Sequence, residues 1–170
     1  KMNVADYIVI GAGPAGCALT ARLIKSQTAQ NSHNAPKVIL IESGKMNPSV
    51  LSTIPAGLAL LVRSQGEYNY AYETTPQNNL NNRKGFVPRG RGIGGSSLIN
   101  AMIYTRGQRE DYDFWAQTGC SGWSGDDVLP LFKRAETNSR GKDNFHGNDG
   151  PLQVSDPASP TPLSFDFINA

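Results

Sequence analysis

Two short runs near the N-terminus, Tyr7-Ile-Val-Ile10 and Val38-Ile-Leu-Ile41, are apolar without alternation. Such runs suit parallel strands that are buried on both faces. A helix is predicted between them, so residues 6–43 read as a βαβ unit. Val50–Arg63 is apolar with a helical period, but Pro55 and Gly57 interrupt it, which predicts a loop and a short helix. Tyr68–Thr75 alternates aromatic with small or polar residues, the pattern of a strand with one buried face. Gln77–Lys84 is polar and Asn-rich, and reads as a hairpin turn or a surface excursion. Further on, Arg109–Gln117 places Tyr112 and Trp115 three apart on one helical face, and Gly119 is a natural stop. Ser124-Gly-Asp-Asp127 caps a helix reaching Arg134, with a kink or a late start expected at Pro130. Asn138–Asn148 reads as a charged loop, Gly150–Ser155 as a short strand, and Leu163–Ile168 as a helical pattern. These elements predict an α/β fold with a Rossmann-like βαβ core, an added β-hairpin and helical segments.

Composition narrows the possibilities. A length of 170 residues is enough for one domain with a core, and 18 glycines with 11 prolines make it loop-rich. A net charge of +2 is too small to imply a nucleic-acid partner. The positive charge is uneven: Arg83, Lys84, Arg89, Arg91, Arg106 and Arg109 precede Glu110 without an intervening acid. Interleaved glycines favour a field around a diphosphate over a merely solvated face. Cys17 and Cys120 show neither metal-ligand spacing nor a disulfide framework, so no metal is expected. Their reduced usage and the absence of a signal-peptide pattern suggest a cytoplasmic setting. The apolar stretch Leu51–Val62 is about a dozen residues, too short for a bilayer span.

Between the two apolar runs stands Gly11-Ala-Gly13-Pro-Ala-Gly16, and the second run ends in Glu42. This combination is built for the ADP half of a dinucleotide. Gly11 permits the tight turn, Gly13 lets the backbone approach a pyrophosphate, and Gly16 lets the helix sit close on the strand. The unpaired N–H groups of the helix start face the phosphates. Glu42 can accept ribose hydroxyls, which disfavours a 2′-phosphate there. It lies 26 residues beyond Gly16, more than the usual ~20, and the polar loop Ser26–Asn34 accounts for the excess. NAD is the chemical alternative to a flavin dinucleotide at this stage.

A second glycine-rich element runs from Arg89 to Asn100 and into Ala101-Met-Ile-Tyr104. It lacks the Gly-Lys-Ser/Thr of a Walker loop, and its apolar continuation is unlike a disordered Arg-Gly segment. A backbone nest formed by the Gly94, Gly95 and Ser96 N–H groups, suited to a diphosphate or a flavin edge, is the remaining reading.

Gly90-Arg-Gly-Ile-Gly-Gly-Ser-Ser-Leu-Ile-Asn100, with Tyr104-Thr-Arg-Gly107 and Asp111-Tyr-Asp-Phe-Trp115, resembles the first signature of the glucose–methanol–choline (GMC) oxidoreductases. Gly122-Trp-Ser, Val128-Leu-Pro-Leu-Phe132 and His146-Gly-Asn-Asp-Gly-Pro-Leu152 follow in that family's order, so the resemblance covers essentially the whole chain. It implies FAD-dependent oxidation of alcohol CH–OH groups, with oxygen or another acceptor taking the electrons onward. By matching position, Pro14 and Ala15 would lie at the pyrophosphate and Glu42 at the adenosine ribose. Ser96, Asn100, Ala101 and Ile103, with Gly94 and Gly95, would line the flavin side. Asn100 as a simple turn cap is the bland alternative. Ser97-Leu98-Ile99 has no histidine, so FAD is expected to be non-covalent. Relatives with Gly in place of Ala101 indicate a tolerated change.

The family takes the alcohol proton with a histidine near its C-terminus. This chain has only His33, in the polar loop, and His146, in the His-Gly-x-x-Gly-Pro motif. Neither matches, so no catalytic residue is assigned. The resemblance therefore implies the N-terminal portion of an FAD-binding domain, residues 1–170, with the substrate domain and catalytic part elsewhere. A stand-alone nucleotide-binding module without redox turnover is the competing function class.

Overall fold

The computed structural model describes residues 4–28, 36–63 and 65–170. His33 and most of the loop Ser26–Asn34 lie outside the described residues. The chain divides into two compact units, 1–103 and 104–170.

In the first unit, β1 (Tyr7–Ile10) leads through α1 (Pro14–Thr28) to β2 (Val38–Ile41). The strands pair in parallel, with Tyr7 opposite Val38 and Ile10 opposite Ile41. Pro14 opens α1 at the position where its missing N–H costs nothing. Gly16 explains how close the layers lie, since a Cβ there would fall 1.9 Å from the Gly11 carbonyl oxygen. Gly11 itself has φ +94°, a turn conformation that side chains resist. Cys17 packs into the same corner and its thiol donates to the Ala12 carbonyl at 3.3 Å.

The two-residue alternation of the strands divides their side chains between two faces. Val9 is buried, while the register brings Ile8 beside Ile39 and Ile10 beside Ile41 on the opposite face. All four of these isoleucines are exposed, Ile10 to 84%. The expected burial on both faces is therefore not met within this chain: one face has Val9 buried, Val38 and Leu40 half-buried and Tyr7 exposed, and the other face is exposed.

Next come α2 (Val50–Thr53), a 3-10 turn at Pro55–Gly57 and α3 (Leu58–Leu61), the broken helix that Pro55 and Gly57 predict. Ser49 caps α2 by accepting from the Leu51 N–H. The predicted strand Tyr68–Thr75 shrinks to β3 (Tyr72–Glu73), paired antiparallel with β4 (Phe86–Val87). Its buried face also fails: Tyr72 is exposed, and the buried side chain is Asn69. The reason is local. Asn69 Oδ1 accepts from the Ala71 and Arg89 N–H groups, its Nδ2 donates to the Leu61 and Val62 carbonyls, and Ala71 is turned to φ +48°. Tyr70 and Tyr72 stack at 5.2 Å instead of inserting into a core. Gln77–Lys84 forms the tip of the hairpin, with Asn81 and Asn82 at positive φ.

The second unit holds α4 (Arg109–Gln117), α5 (Gly125–Ala135), β5 (Glu136–Asn138), β6 (Leu152–Val154) and α6 (Pro162–Asn169). Capping boxes at Gln108 with Asp111 and at Ser124 with Asp127 start the first two helices. Helix α5 runs from Gly125 straight through Pro130, so the expected late start does not occur. Tyr112, Trp115, Phe132 and Trp123 form a chain of ring contacts between α4, α5 and their connection. β5 pairs in parallel with β6. Glu136 is fully buried on β5. It accepts the Gly147 N–H at 2.9 Å and meets Arg106 Nη2 at 2.9 Å as an ion pair whose N–H is not aligned on the oxygen. Among the described residues no helix is long and apolar enough to cross a membrane.

Candidate nucleotide-binding site

The first glycine turn, the exit of β2 and the second glycine element converge in unit 1 on a cavity of about 490 Å³. Ile10, Gly11, Gly13 and Pro14 form one wall, and Ile41, Glu42 and Ser43 another. Tyr70, Arg89, Gly90, Gly95 and Ser96 complete it. The two glycine elements touch backbone to backbone. A Cβ on Gly95 would lie 2.7 Å from Gly13 Cα, and within the second element one on Gly90 would lie 2.0 Å from the Gly95 carbonyl oxygen. Gly13 is different: its Cβ would meet nothing closer than Gly95 Cα at 3.9 Å. No intramolecular contact demands glycine there, yet the position lines the cavity. A pyrophosphate drawn onto this backbone would supply the missing steric reason, so the cradle fits such a group.

Glu42 Oε2 accepts the Ala12 N–H at 2.8 Å, while Oε1 accepts those of Gly44 at 2.9 Å and Gly92 at 3.2 Å. Burial pushes its carboxyl up, but the N–H groups of Ala12, Gly44 and Gly92 outweigh that and hold it below the usual range.

Six of the residues expected from sequence meet at the cavity: Gly11, Gly13, Pro14, Glu42, Gly95 and Ser96. Gly16 is beneath the turn, and Ala15 is exposed on the first turn of α1. The anion-binding nest is corrected. Gly94 N–H donates to the Ala12 carbonyl at 2.7 Å and Gly95 N–H to that of Gly92 at 2.9 Å, so both donors are consumed inside the fold. The segment then forms a 3-10 turn, Gly95–Ile99. Asn100 borders a separate small void with Leu51, Ile54 and Leu98, and its Oδ1 accepts the Met102 N–H at 3.0 Å, a turn-capping contact. Ala101 is exposed, and so is Ile103, to 81%.

The basic stretch is also dispersed. Lys84 pairs with Glu73, Arg106 with Glu136, and Arg109 with Asp113 and Asp126. Only Arg89 lines the cavity, while Arg91 stacks on Tyr70 at 5.4 Å and reaches the Ser43 carbonyl. Tyr70 and Ser43, whose hydroxyls are bonded to each other, escaped the sequence reading. Ser43 directly follows Glu42 and was within reach of it; Tyr70 arrives only through the tertiary fold.

A parallel βαβ pair with a glycine-lined cavity and an acid at the end of its second strand defines a dinucleotide-binding α/β protein. A model of the GMC oxidoreductases matches residues 5–170. The chain belongs to this family and corresponds to its N-terminal, FAD-binding part. An alcohol dehydrogenase (acceptor) of Pseudomonas putida is 45% identical over 166 residues, which are 97% of this chain and 29% of that protein. An oxygen-dependent choline dehydrogenase of Sinorhizobium fredii is 45% identical, with 98% and 29% covered. Among solved structures, pyridoxine 4-oxidase from Mesorbium loti superposes with a TM-score of 0.84 at 34% identity, covering 98% of this chain and 31% of that one. An FAD-dependent oxidoreductase from Chaetomium thermophilum gives 0.75 at 28% identity. The chain thus spans about 29% of the length of the curated relatives it matches.

Proposed function

We propose that the full-length protein oxidises the CH–OH group of a small alcohol, and that residues 1–170 contribute the nucleotide end of a non-covalent FAD site. The observation that carries this reading is Gly13, a cavity-lining glycine that the fold itself does not require. FAD, when bound, supplies the two-electron acceptor for hydride leaving the carbinol carbon. Gly11, Gly13, Pro14 and Ala15 present backbone to the pyrophosphate, with the start of α1 adding its positive end. Glu42 accepts from the adenosine ribose on the lone pair it has left. Gly94, Gly95, Ser96, Asn100, Ala101 and Ile103 form the flavin side, Asn100 through its NH2 group. Ser97-Leu98-Ile99 offers no histidine for a covalent flavin link.

No group in this piece is proposed as the base that removes the alcohol proton. His146 is held by Asp143 through Nδ1, and both belong to the second unit. The substrate-binding and proton-accepting parts are assigned to the remainder of the full-length protein. The names of the relatives support an alcohol as the substrate class, and two unpaired cysteines suit a reducing, cytoplasmic setting. The test is to purify the full-length protein, release its chromophore by denaturation and assay alcohol-dependent dye reduction. Flavin absorbance with turnover is expected. A colourless protein with bound NAD, or flavin without alcohol turnover, would overturn the reading in favour of a plain nucleotide-binding module.

A further inference from the structure

Glu42 has a second task, one that the ribose does not explain. The donors to its carboxylate come from three places: Ala12 in the first glycine turn, Gly44 at the exit of β2, and Gly92 in the second glycine element, 50 residues further along the chain. A carboxylate offers about four lone-pair positions, and three are used here. Neighbouring contacts run the same way. Gly94 N–H donates to the Ala12 carbonyl, Ile93 N–H donates to the Lys45 carbonyl, and a Cβ on Gly44 would fall 2.3 Å from Gly92 N. The Glu42 bonds are charge-assisted, and such bonds are roughly twice as strong as neutral ones. The other charged contact across this seam, from the Arg91 guanidinium to the Ser43 carbonyl, is longer at 3.4 Å.

We propose that Glu42 is a positioning residue that clamps the Gly90–Asn100 element onto the βαβ turn, holding both walls of the cavity in one arrangement before the cofactor arrives. This rests on the FAD reading for its ligand, but not for the clamp itself. A ribose acceptor and a clamp respond differently to a cofactor without ribose hydroxyls. FAD and an FAD analogue lacking the 2′- and 3′-hydroxyls of the adenosine ribose are therefore titrated into full-length wild type and Glu42→Ala. If Glu42 clamps, the variant weakens the analogue at least tenfold relative to wild type. An analogue with equal Kd in both proteins would reduce Glu42 to a ribose acceptor and overturn the proposal. Amide hydrogen exchange on the wild-type apoprotein decides the matter even if the variant does not fold. The Ala12 and Gly92 amides, which belong to no helix or strand ladder, are expected to be protected, and free exchange at Gly92 overturns the clamp. Failure of wild type to bind either ligand would sink the cofactor reading and leave the exchange experiment to judge the clamp.

Discussion

Gly13 and Gly16 sit three residues apart and are constrained from opposite sides. A methyl at Gly16 collides with the Gly11 carbonyl, whereas one at Gly13 enters open cavity. Gly16→Ala is therefore expected to destabilise the protein by about 1–3 kcal/mol, the usual range for overpacking. Gly13→Ala should leave the melting temperature of the apoprotein unchanged and strip the flavin. Thermal melts of the apoproteins beside flavin content after gel filtration check both; normal flavin occupancy in Gly13→Ala would remove this glycine from the site. Arg106 and Glu136 are a second pair for which one side chain decides the fate of another. Arg106 is 17% exposed and Glu136 not at all. Burial pushes the Glu136 carboxyl up, but Gly147 N–H, Arg106 and Tyr104 hold it below the ordinary range. Arg106→Met leaves that charge buried and unpaired, which should cost about 3–5 kcal/mol in denaturant unfolding. A loss below 1 kcal/mol would show that the pair is no more than a surface contact.

Among the elements, the β5–β6 connection is fastened by its own side chains. Asp143 Oδ1 accepts the Phe145 and His146 N–H groups at 2.7 and 2.6 Å, and its carboxylate meets His146 Nδ1 at 2.8 Å. The His146 side chain and then these N–H groups lower the Asp143 pKa to about 2. The stabilisation from this group is present above its ordinary value near 3.8 and is lost as the pH falls through 2. A carboxyl-carbon NMR titration should place the midpoint near 2 and raise it in His146→Ala; a wild-type midpoint near 3.8 would contradict the contact. The elements that sequence reveals are those with internal grammar. The βαβ unit carries its period, its glycines and its terminal acid within 40 residues, and the capped helices α4 and α5 carry their own start signals. Glu136 as a strand residue is illegible, because it pairs with Leu152 of β6, sixteen residues on. Tyr68–Thr75 misleads for the converse reason: its alternation is sound, but one asparagine side chain captures the backbone on both sides and bends it out of the sheet. The nest at Gly94 and Gly95 fails similarly, since its N–H donors find carbonyls before any anion.

For the whole molecule, the decisive feature is the open face of the βαβ sheet. Ile8, Ile10, Ile39 and Ile41 share one face of the strand pair and are all exposed, and such apolar surfaces favour association. Residues 1–170 expressed alone should bind a hydrophobic dye, self-associate on gel filtration, retain little FAD and oxidise no alcohol. Ile8→Lys should reduce the self-association. A monomeric piece with stoichiometric FAD and turnover would refute this and return attention to His33, His146 and the carboxylates. The cavity itself has a different relation to chain length. Every residue that lines it falls between Ile10 and Ser96, and none comes from the second unit. Synthesis on the ribosome runs N-terminus first at about 5–20 residues per second. The parts of the nucleotide cradle are thus all made before Tyr104, and their assembly has a head start over everything that follows. The proposed nucleotide end of the FAD site is therefore synthesised ahead of the parts assigned to the remainder of the protein, and stable retention of flavin has to wait for them.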